Sequence, residues 1–284
     1  MKVVTTIKQV REQVKSWHQS GASIGLVPTM GFLHEGHQSL MAAAKKDNQK
    51  VIVTIFVNPI QFGPSEDLAS YPRDLQRDKI ACEKMGVDLI FCPSTDEMYD
   101  THFSSYVDVN GLTDALCGKR RPGHFKGVCT VVTKLFNITQ PDRAYFGQKD
   151  AQQLAVIKRM VKDLNFNIEI IGCPIVREQD GLAKSSRNSY LSESERLAAV
   201  CLYQAIESAN SMIKQGEKSV ATIRTAMQDI IAKQSLAKID YIEFVDLQTL
   251  TSVELLEQDS LCALAVYIGK TRLIDNFIYY HYYS

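Results

Sequence analysis

The sequence has 284 residues, of which 45% are hydrophobic and 23% charged, a composition typical of a globular protein with a sizeable core. The 32 basic and 32 acidic side chains balance, so no overall basic charge favours nucleic acid as a partner. No apolar run approaches the roughly 20 residues of a membrane span, no signal peptide is apparent, and the seven irregularly spaced cysteines predict reduced thiols in the cytoplasm.

Short apolar runs alternate with amphipathic helical patterns over the first two thirds of the chain. The runs predict strands over 24–27, 51–57, 87–91, 145–146 and 168–171, and the helical patterns cover 7–19, 37–47, 74–85, 125–139 and 150–164. Fully apolar strands separated by helices indicate a parallel sheet covered on both faces. The fold class expected is α/β, a doubly wound Rossmann-like domain over residues 1–175 that binds ligands beyond the carboxyl ends of its strands.

The pattern changes near residue 175. Ser192 and Glu195 form a capping-box pattern that predicts a helix to about residue 215, and a second helix is expected over 219–234. Strands are expected over 240–245, 262–268 and 273–280, with a tight connection at 269–272 that predicts an antiparallel hairpin. Residues 176–284 therefore form a smaller α+β domain in this interpretation.

The segment VPTMGFLHEGHQSL (27–40) combines a strand end, two glycines and two histidines with the start of a helix. A glycine turn before a helix N-terminus presents backbone N–H groups to phosphate, and His34 and His37 add donors. Gly31 and Gly36 allow close approach of the ligand. The alternative is an ordinary strand–helix turn that holds two histidines. A zinc motif is disfavoured, because H-E-G-H is one residue shorter than H-E-x-x-H and no third ligand is apparent.

Other nucleotide-binding and hydrolase motifs are missing from the sequence or stand in the wrong setting. Gly269-Lys270-Thr271 has the ending of a P-loop, but Leu264 stands where the upstream glycine is required. The sequence contains no G-x-G-x-x-G, so kinase-type and dinucleotide-binding functions lack their residues. Gly21-Ala22-Ser23-Ile24-Gly25 matches G-x-S-x-G, but it stands before a predicted strand and not between a strand and a helix, where a serine-hydrolase nucleophile lies.

Two further segments carry polar side chains that suit a triphosphate. After the predicted strand at 145–146, Lys149 precedes Asp150, a candidate N-cap, although a lysine in a turn is often only a surface residue. The segment DGLAKSSRN (180–188) holds two hydroxyls, a lysine and an arginine, and the alternative for it is a polar inter-domain loop. Asn58 and Gln61 follow another strand, where amides suit a small hydroxy acid or form a plain turn.

Six motifs, in this order, resemble the pantoate–β-alanine ligase family of H-x-G-H nucleotidyltransferases. They are PTMGFLHEGH, VNPIQF, YPRD, RPGHFKGV, FGQKD followed by QQL, and KSSRN, and the resemblance continues weakly to RLIDN. It implies a homodimer that uses Mg²⁺ and ATP, with no nucleic acid and no membrane as partner. The implied reaction adenylates the carboxylate of pantoate, and the amine of β-alanine then displaces AMP to give pantothenate.

The resemblance also assigns residues. The catalytic set is His37, His34, Lys149, Ser186 and Arg187, with His37 as proton donor. Gln61, Gln153 and Asn58 are expected to bind pantoate and β-alanine. The ATP site is expected to comprise Met30, Gly31, His34, Gly36, His37, Gly147, Gln148, Lys149, Asp150, Val176, Lys184, Ser185, Ser186 and Arg187. Asp78 is a weak candidate for a Mg²⁺ contact, and no metal ligand is assigned.

Two residues depart from the family pattern, and the sequence leaves two alternative functions open. Gln148 stands where the family pattern has Glu, and Lys184 stands where it has Leu or Met. One rival is a nucleotidylyltransferase with a phosphate acceptor, which needs extra basic residues. The other is a non-catalytic nucleotide-binding module, which needs no positive charge around a departing pyrophosphate. Because an acyl adenylate is easily hydrolysed, residues 120–125 and the second domain are expected to cover the site.

Overall fold

The computed structural model describes residues 1–64 and 66–281, which form two compact units. Unit 1 comprises Met1–Thr113, Cys117–Gln148 and Gln152–Pro174, and unit 2 comprises Asp114–Leu116, Lys149–Ala151 and Ile175–Ser284. The strands are β1 (Lys2–Val4), β2 (Ile24–Thr29), β3 (Lys50–Ile55), β4 (Leu89–Phe91), β5 (Arg143–Gly147), β6 (Glu169–Cys173), β7 (Ala237–Asp246), β8 (Ser260–Ile268) and β9 (Thr271–Tyr279). The helices are α1 (Ile7–Gln19), α2 (Glu35–Asp47), α3 (Leu75–Lys84), α4 (Thr95–Met98), α5 (Leu116–Arg120), α6 (His124–Thr139), α7 (Ala151–Asp163), α8 (Glu193–Ala198), α9 (Cys201–Lys214) and α10 (Val220–Ala232).

Unit 1 is built on a parallel sheet in the order β1-β4-β3-β2-β5-β6. In its register Leu26 pairs with Ile52 of β3 on one side and with Ala144 of β5 on the other. The chain runs from β2 outward to β3 and β4, whereas β5 and β6 lie on the other side of β2. The strand order therefore reverses between β2 and β5, which is where a sheet of this type opens a ligand crevice at its carboxyl edge.

Alternate side chains of the central strands enter two separate cores. Leu26 of β2 and Ile52 of β3 pack with the apolar sides of α1 and α6. Their neighbours Val27 and Val53 pack instead with Leu40, Met41 and Ala44 of α2. Both faces of the sheet are therefore covered by helices, which explains why the central strands β2 and β3 are largely apolar.

Unit 2 contains an antiparallel sheet in the order β7-β8-β9, packed with α9 and α10 around an apolar core. Gly269 and Lys270 alone connect β8 to β9, so the expected hairpin is confirmed. Within the same unit, Arg177 makes two ion-pair contacts with the buried Asp275, at 2.6 and 3.0 Å. This pair fixes the segment that leads from β6 into the DGLAKSSRN loop.

The doubly wound α/β class with a smaller α+β part is confirmed, and the structure differs from the sequence predictions in several details, among them the short helices α4 and α5, which were not predicted. β1 was not predicted, because three residues followed by a polar segment leave little periodicity. The helix expected over 192–215 is divided into α8 and α9 at Ala199–Val200. Residues 114–116 and 149–151 belong to unit 2 rather than to the sheet domain. None of the helices in the described part of the chain is long and apolar enough to cross a membrane.

Candidate active site

The segment from Met30 to His37, called the histidine loop below, comprises the turn after β2 and the first three residues of α2, at the carboxyl edge of the sheet in unit 1. Gly31 has φ of +83°, and a β-carbon there would lie 2.9 Å from an oxygen of Asp78 and from a methyl group of Ile55. A larger residue would therefore be strained and would displace its neighbours. Phe32 also has positive φ, at 51°, and stacks under the guanidinium of Arg77 at 4.5 Å.

Asp78 of α3 holds the middle of the histidine loop. Its side chain is 1% exposed, and its two oxygens accept the backbone N–H groups of Phe32 at 2.9 Å and Leu33 at 2.7 Å. Burial raises the pKa of Asp78, while these two N–H contacts act in the opposite direction. The carboxylate thus takes up donors that would otherwise lack a partner in a turn of this shape.

His34 and His37 cap α2 reciprocally. Nδ1 of His34 accepts the backbone N–H of Gly36 at 3.1 Å, and Nδ1 of His37 accepts the backbone N–H of His34 at 3.2 Å. The two ring centroids lie 4.1 Å apart. Because each Nδ1 accepts a hydrogen bond, the neutral ring carries its proton on Nε2. Both histidines therefore present Nε2–H donors at the N-terminus of a helix, where the dipole favours an anion.

An amide site lies beside the histidine loop in unit 1. Nε2 of Gln61 contacts the Met30 sulfur at 3.2 Å, and the Gln61 side-chain oxygen accepts a hydrogen bond from Nδ2 of Asn58 at 3.0 Å. Asn58 is 1% exposed, so the structure buries it behind Gln61. On α7, Gln153 is half-buried. Its neighbour Gln152 is buried and bonds the backbone of Leu112 and Gly118, which gives Gln152 a structural role.

The segment RRPGHF (120–125), which the sequence predicts to cover the active site, is tied to the loop before Tyr71 within unit 1. Arg121 binds both oxygens of Glu66, at 2.6 and 2.7 Å, and also contacts His124 at 2.9 Å. His124 in turn bonds the backbone oxygen of Gln61 at 2.8 Å. Burial of Glu66 acts to raise its pKa, but the hydrogen bonds and charge of Arg121 outweigh it and the pKa is lowered.

A cavity of about 310 Å³ opens at the carboxyl ends of β3 and β4 in unit 1. It reaches the histidine loop at Met30 and Gly31, and Asp78 and Cys92 also line it. This volume lies at the lower end of the range for small-molecule sites, so a small ligand fits next to the loop.

Unit 2 carries the second group of predicted ATP-site residues. Lys149 and Asp150 lie in the 3-10 turn Gln148–Asp150, and Asn276 of β9 donates to the backbone oxygen of Lys149 at 2.9 Å. Ser185 caps the 3-10 turn Ser186–Tyr190, with its hydroxyl accepting the N–H of Arg187 at 3.3 Å.

Lys184, which departs from the family pattern, makes both a backbone and a side-chain contact in unit 2. Its backbone N–H donates to the oxygen of Val176 at 3.0 Å, and its ammonium group pairs with Glu178 at 2.9 Å. The backbone contact brings two predicted ATP-site residues together. The ion pair offsets the positive charge that Lys184 adds.

Of the predicted site residues, Met30, Gly31, His34, Gly36, His37 and Gln61 belong to unit 1, as does Gly147 at the end of β5. Lys149, Asp150, Val176 and 184–187 belong to unit 2. The sequence did not reveal the supporting roles of Asp78, of Asn276, or of Tyr99, whose hydroxyl donates to the side-chain oxygen of Asn58 at 2.8 Å. Each acts through a partner distant in sequence, and the one local signal was an acidic residue within the apolar pattern of α3.

Comparisons with known proteins agree with the motifs. A family model described as pantoate-beta-alanine ligase matches residues 2–278. A pantothenate synthetase from Clostridium botulinum (strain ATCC 19397 / Type A) is 58% identical over 279 residues, 98% of this chain and 99% of the relative. One from Clostridium acetobutylicum is 59% identical over 277 residues, again 98% of this chain and 99% of the relative.

Solved structures are similar over the same length. The crystal structure of pantothenate synthetase from Thermus thermophilus superposes with a TM-score of 0.93 at 44% identity, covering 98% of this chain and 99% of that one. A pantoate-beta-alanine ligase from Francisella tularensis, crystallised with beta-gamma ATP and beta-alanine, gives 0.82 at 37% identity, covering 98% and 97%.

Proposed function

The chain belongs to the pantoate–β-alanine ligase family, and we propose that it joins (R)-pantoate to β-alanine with ATP through a pantoyl-adenylate intermediate. In the first step the carboxylate of pantoate attacks the α-phosphorus of ATP. An acyl–phosphate bond forms, the bond between the α- and β-phosphates breaks, and pyrophosphate leaves. The amine of β-alanine then attacks the acyl carbon, and AMP leaves as pantothenate forms.

The reciprocal histidine cap is the observation that supports this proposal most directly. Negative charge builds on the phosphates during the first step, and the protein supplies no covalent nucleophile. His34 and His37 offer Nε2–H donors at the start of α2, and their Nδ1 contacts hold the rings before the ligand arrives. Donors that are fixed in advance require little reorganisation as charge develops, which is how they lower the barrier.

We assign the remaining predicted residues to the same reaction. Lys149, Ser186 and Arg187 are catalytic groups that hold phosphate charge, and Gly147, Gln148, Asp150, Val176, Lys184 and Ser185 bind the nucleotide. Gln61 and Gln153 bind pantoate. The cavity at the ends of β3 and β4 has the size for β-alanine to approach the histidine loop. In this scheme residues 1–175 bind ATP and pantoate, while residues 176–284 cover the intermediate.

We propose that Mg²⁺ arrives as the ATP complex rather than in a protein cage. Among the residues that the structure describes, no group of three or more His, Cys, Asp or Glu side chains could hold a metal ion. Asp78, the candidate from the sequence, directs both oxygens to backbone N–H groups. Mg²⁺ in nucleotide sites is held largely by phosphates and water, which is consistent with this arrangement.

We further propose a cytoplasmic homodimer. The seven cysteines are all free thiols, as is usual in a reducing compartment. Dimerisation follows the family resemblance and is checked by sedimentation.

The proposed reaction is tested by pyrophosphate–ATP isotope exchange with Mg²⁺ and pantoate present and β-alanine absent. Exchange that requires pantoate is expected, because adenylation of the carboxylate is reversible. Exchange that proceeds equally without pantoate would contradict the proposal, as would exchange that is absent both with and without β-alanine while ATP binds. In that case a phosphate acceptor should be tested, since a nucleotidylyltransferase would use one.

A further inference from the structure

The amide of Asn58 is buried between three polar groups of unit 1. Its Nδ2 donates to the backbone oxygen of Gly127 at 3.1 Å and to the side-chain oxygen of Gln61 at 3.0 Å. Its oxygen accepts the hydroxyl of Tyr99 at 2.8 Å. Both hydrogens on the Asn58 nitrogen and the Asn58 side-chain oxygen therefore have partners inside the protein.

One of these partners determines the polarity of both amides, that is, which way the nitrogen and the oxygen of Asn58 and Gln61 face. A backbone carbonyl can only accept, so the Asn58 nitrogen must face Gly127 and the Asn58 oxygen must face Tyr99. Burial raises the pKa of Tyr99, so its hydroxyl keeps its proton and can donate. The second hydrogen on the Asn58 nitrogen then points at Gln61, which must present its oxygen to Asn58. The Gln61 nitrogen consequently faces the other way, toward Met30.

The position of the Gly127 carbonyl depends on a close approach of α6 to the 3-10 turn Pro59–Gln61. A β-carbon on Gly127 would lie 2.6 Å from the α-carbon of Gln61 and 2.7 Å from its backbone nitrogen. Only glycine at this position lets the helix backbone come near enough to bond Asn58. The Gly127 carbonyl, which sets the polarity of the amides, is therefore held in place by the packing of the α6 backbone against the 3-10 turn.

We infer that Asn58, held by the Gly127 carbonyl and the Tyr99 hydroxyl, is a positioning residue that turns the Gln61 amide so that its nitrogen lies on the Met30 side and directs an N–H to the hydroxy-acid substrate. This inference rests on the proposed function, in which Gln61 binds pantoate. It also reassigns Asn58, which the sequence grouped with the substrate ligands, as the residue that orients Gln61. An amide presenting N–H groups selects an acceptor oxygen, such as a carboxylate, and disfavours a donor in the same place.

The first test compares two tyrosines by removing one hydroxyl from each. Tyr99→Phe takes away the proton that the Asn58 oxygen accepts, whereas Tyr106→Phe removes the hydroxyl of an exposed tyrosine from the same aromatic cluster. The measurement is the KM for pantoate and for ATP in pyrophosphate–ATP exchange. For Tyr99→Phe we expect the pantoate KM to rise about tenfold and the ATP KM to stay within about twofold. Tyr106→Phe should change neither.

Two results would overturn the inference. Identical behaviour of Tyr99→Phe and Tyr106→Phe would show that the Tyr99 hydroxyl does not orient the substrate site. A parallel rise of both KM values in Tyr99→Phe would show that Tyr99 merely supports the fold of unit 1. Thermal unfolding of each variant identifies loss of the fold directly.

Asn58→Asp provides a second variant of nearly the same shape. An aspartate can still accept from Tyr99, but its other oxygen cannot donate to Gly127 or to the Gln61 oxygen. The Gln61 amide should then reverse and present its oxygen to the substrate carboxylate. We expect the pantoate KM to rise about a hundredfold, with the ATP KM changed much less. An unchanged pantoate KM would overturn the proposed polarity.

A measurement without substrate separates this inference from the proposed function. Neutron diffraction from deuterated crystals of the unliganded protein locates the amide deuterons of Asn58 and Gln61. The inference expects them toward the Gly127 carbonyl and toward Met30, respectively, and the opposite orientation of either amide would overturn it. If the unmodified protein shows no pantoate-dependent exchange, the proposed function fails while the amide polarity is still decided by this experiment.

Discussion

The carboxylate of Asp78 accepts the backbone N–H of Leu33 at 2.7 Å, across 45 residues of sequence. Leu33 directly precedes the first histidine of the loop, so the contact ties α3 to the residues that cap α2. The second oxygen of Asp78 accepts the neighbouring N–H of Phe32. A buried side chain on α3 thus holds the turn that leads into His34 and His37.

Replacing Asp78 by Asn should disturb this arrangement while keeping the volume of the side chain. The new side-chain NH2 group would face the backbone N–H of Phe32 or Leu33. One hydrogen bond would then be lost, and two donors would point at each other. We expect a loss of about 2 kcal/mol in the free energy of unfolding and roughly 10- to 100-fold slower exchange. Denaturant unfolding and pyrophosphate–ATP exchange measure the two effects.

The matched control is Asp74→Asn, at the start of the same helix. Asp74 is exposed and caps α3 by accepting the N–H of Arg77 at 3.0 Å, and asparagine caps helices about as well. Near-normal values are expected for this variant. Equal effects of the two substitutions would show that Asp78 has no particular role in holding the loop.

His37→Ala should reduce turnover about 10²- to 10⁴-fold, because it removes a positioned donor to the phosphates. It also removes the acceptor for the His34 N–H, so a smaller loss of stability of about 1 kcal/mol should accompany it. Steady-state turnover and thermal unfolding are the measurements. His102→Ala, in an exposed loop, is the control and should behave like the unmodified protein. Near-normal turnover of His37→Ala would remove His37 from the mechanism.

The Glu66–Arg121 pair should make stability depend on pH in one direction. The pKa of Glu66 is lowered in the folded protein from its ordinary value of 4.5. The pair therefore stabilises the fold above pH 4.5, and this contribution is lost as pH falls through the lower, folded pKa. Because both side chains are about a fifth exposed, we expect only about 1 kcal/mol.

Glu66→Gln tests this dependence by comparing unfolding free energies of the variant and the unmodified protein across pH. The unmodified protein should be more stable at about pH 7, and the difference should shrink toward zero as the medium becomes strongly acidic. A difference that grows on acidification would have the wrong sign for an ion pair.

Lys184→Met, which restores a residue type of the family pattern, should change the KM for ATP by less than about threefold. The ammonium group of Lys184 is paired with Glu178 at 2.9 Å, so little of its charge is offered to a ligand. Arg187→Met removes a proposed catalytic charge from the same segment and should slow exchange by at least about tenfold. A tenfold rise in the ATP KM for Lys184→Met would show that its charge is used in binding.

Much of the arrangement was predictable where residues close in sequence carried it. The alternation of apolar runs and helical patterns predicted the doubly wound class, and the H-E-G-H segment predicted that His34 and His37 lie at a strand–helix junction. The roles of polar residues whose partners lie far along the chain were harder to predict from the sequence. Asn58 was grouped with the substrate ligands because its sequence position follows a strand. Its burial against Gly127 and Tyr99 gives it a different role, as a residue that orients Gln61.

The sequence by itself determined which residues form most of the strands and helices, because local periodicity and capping depend on neighbours within a few positions. It also determined the family, since six motifs in fixed order are specific together. Only the tertiary structure decided the order β1-β4-β3-β2-β5-β6 and the contact of Asp78 with the histidine loop. Those features depend on pairings between distant segments, and no local pattern records which strand a given strand will meet.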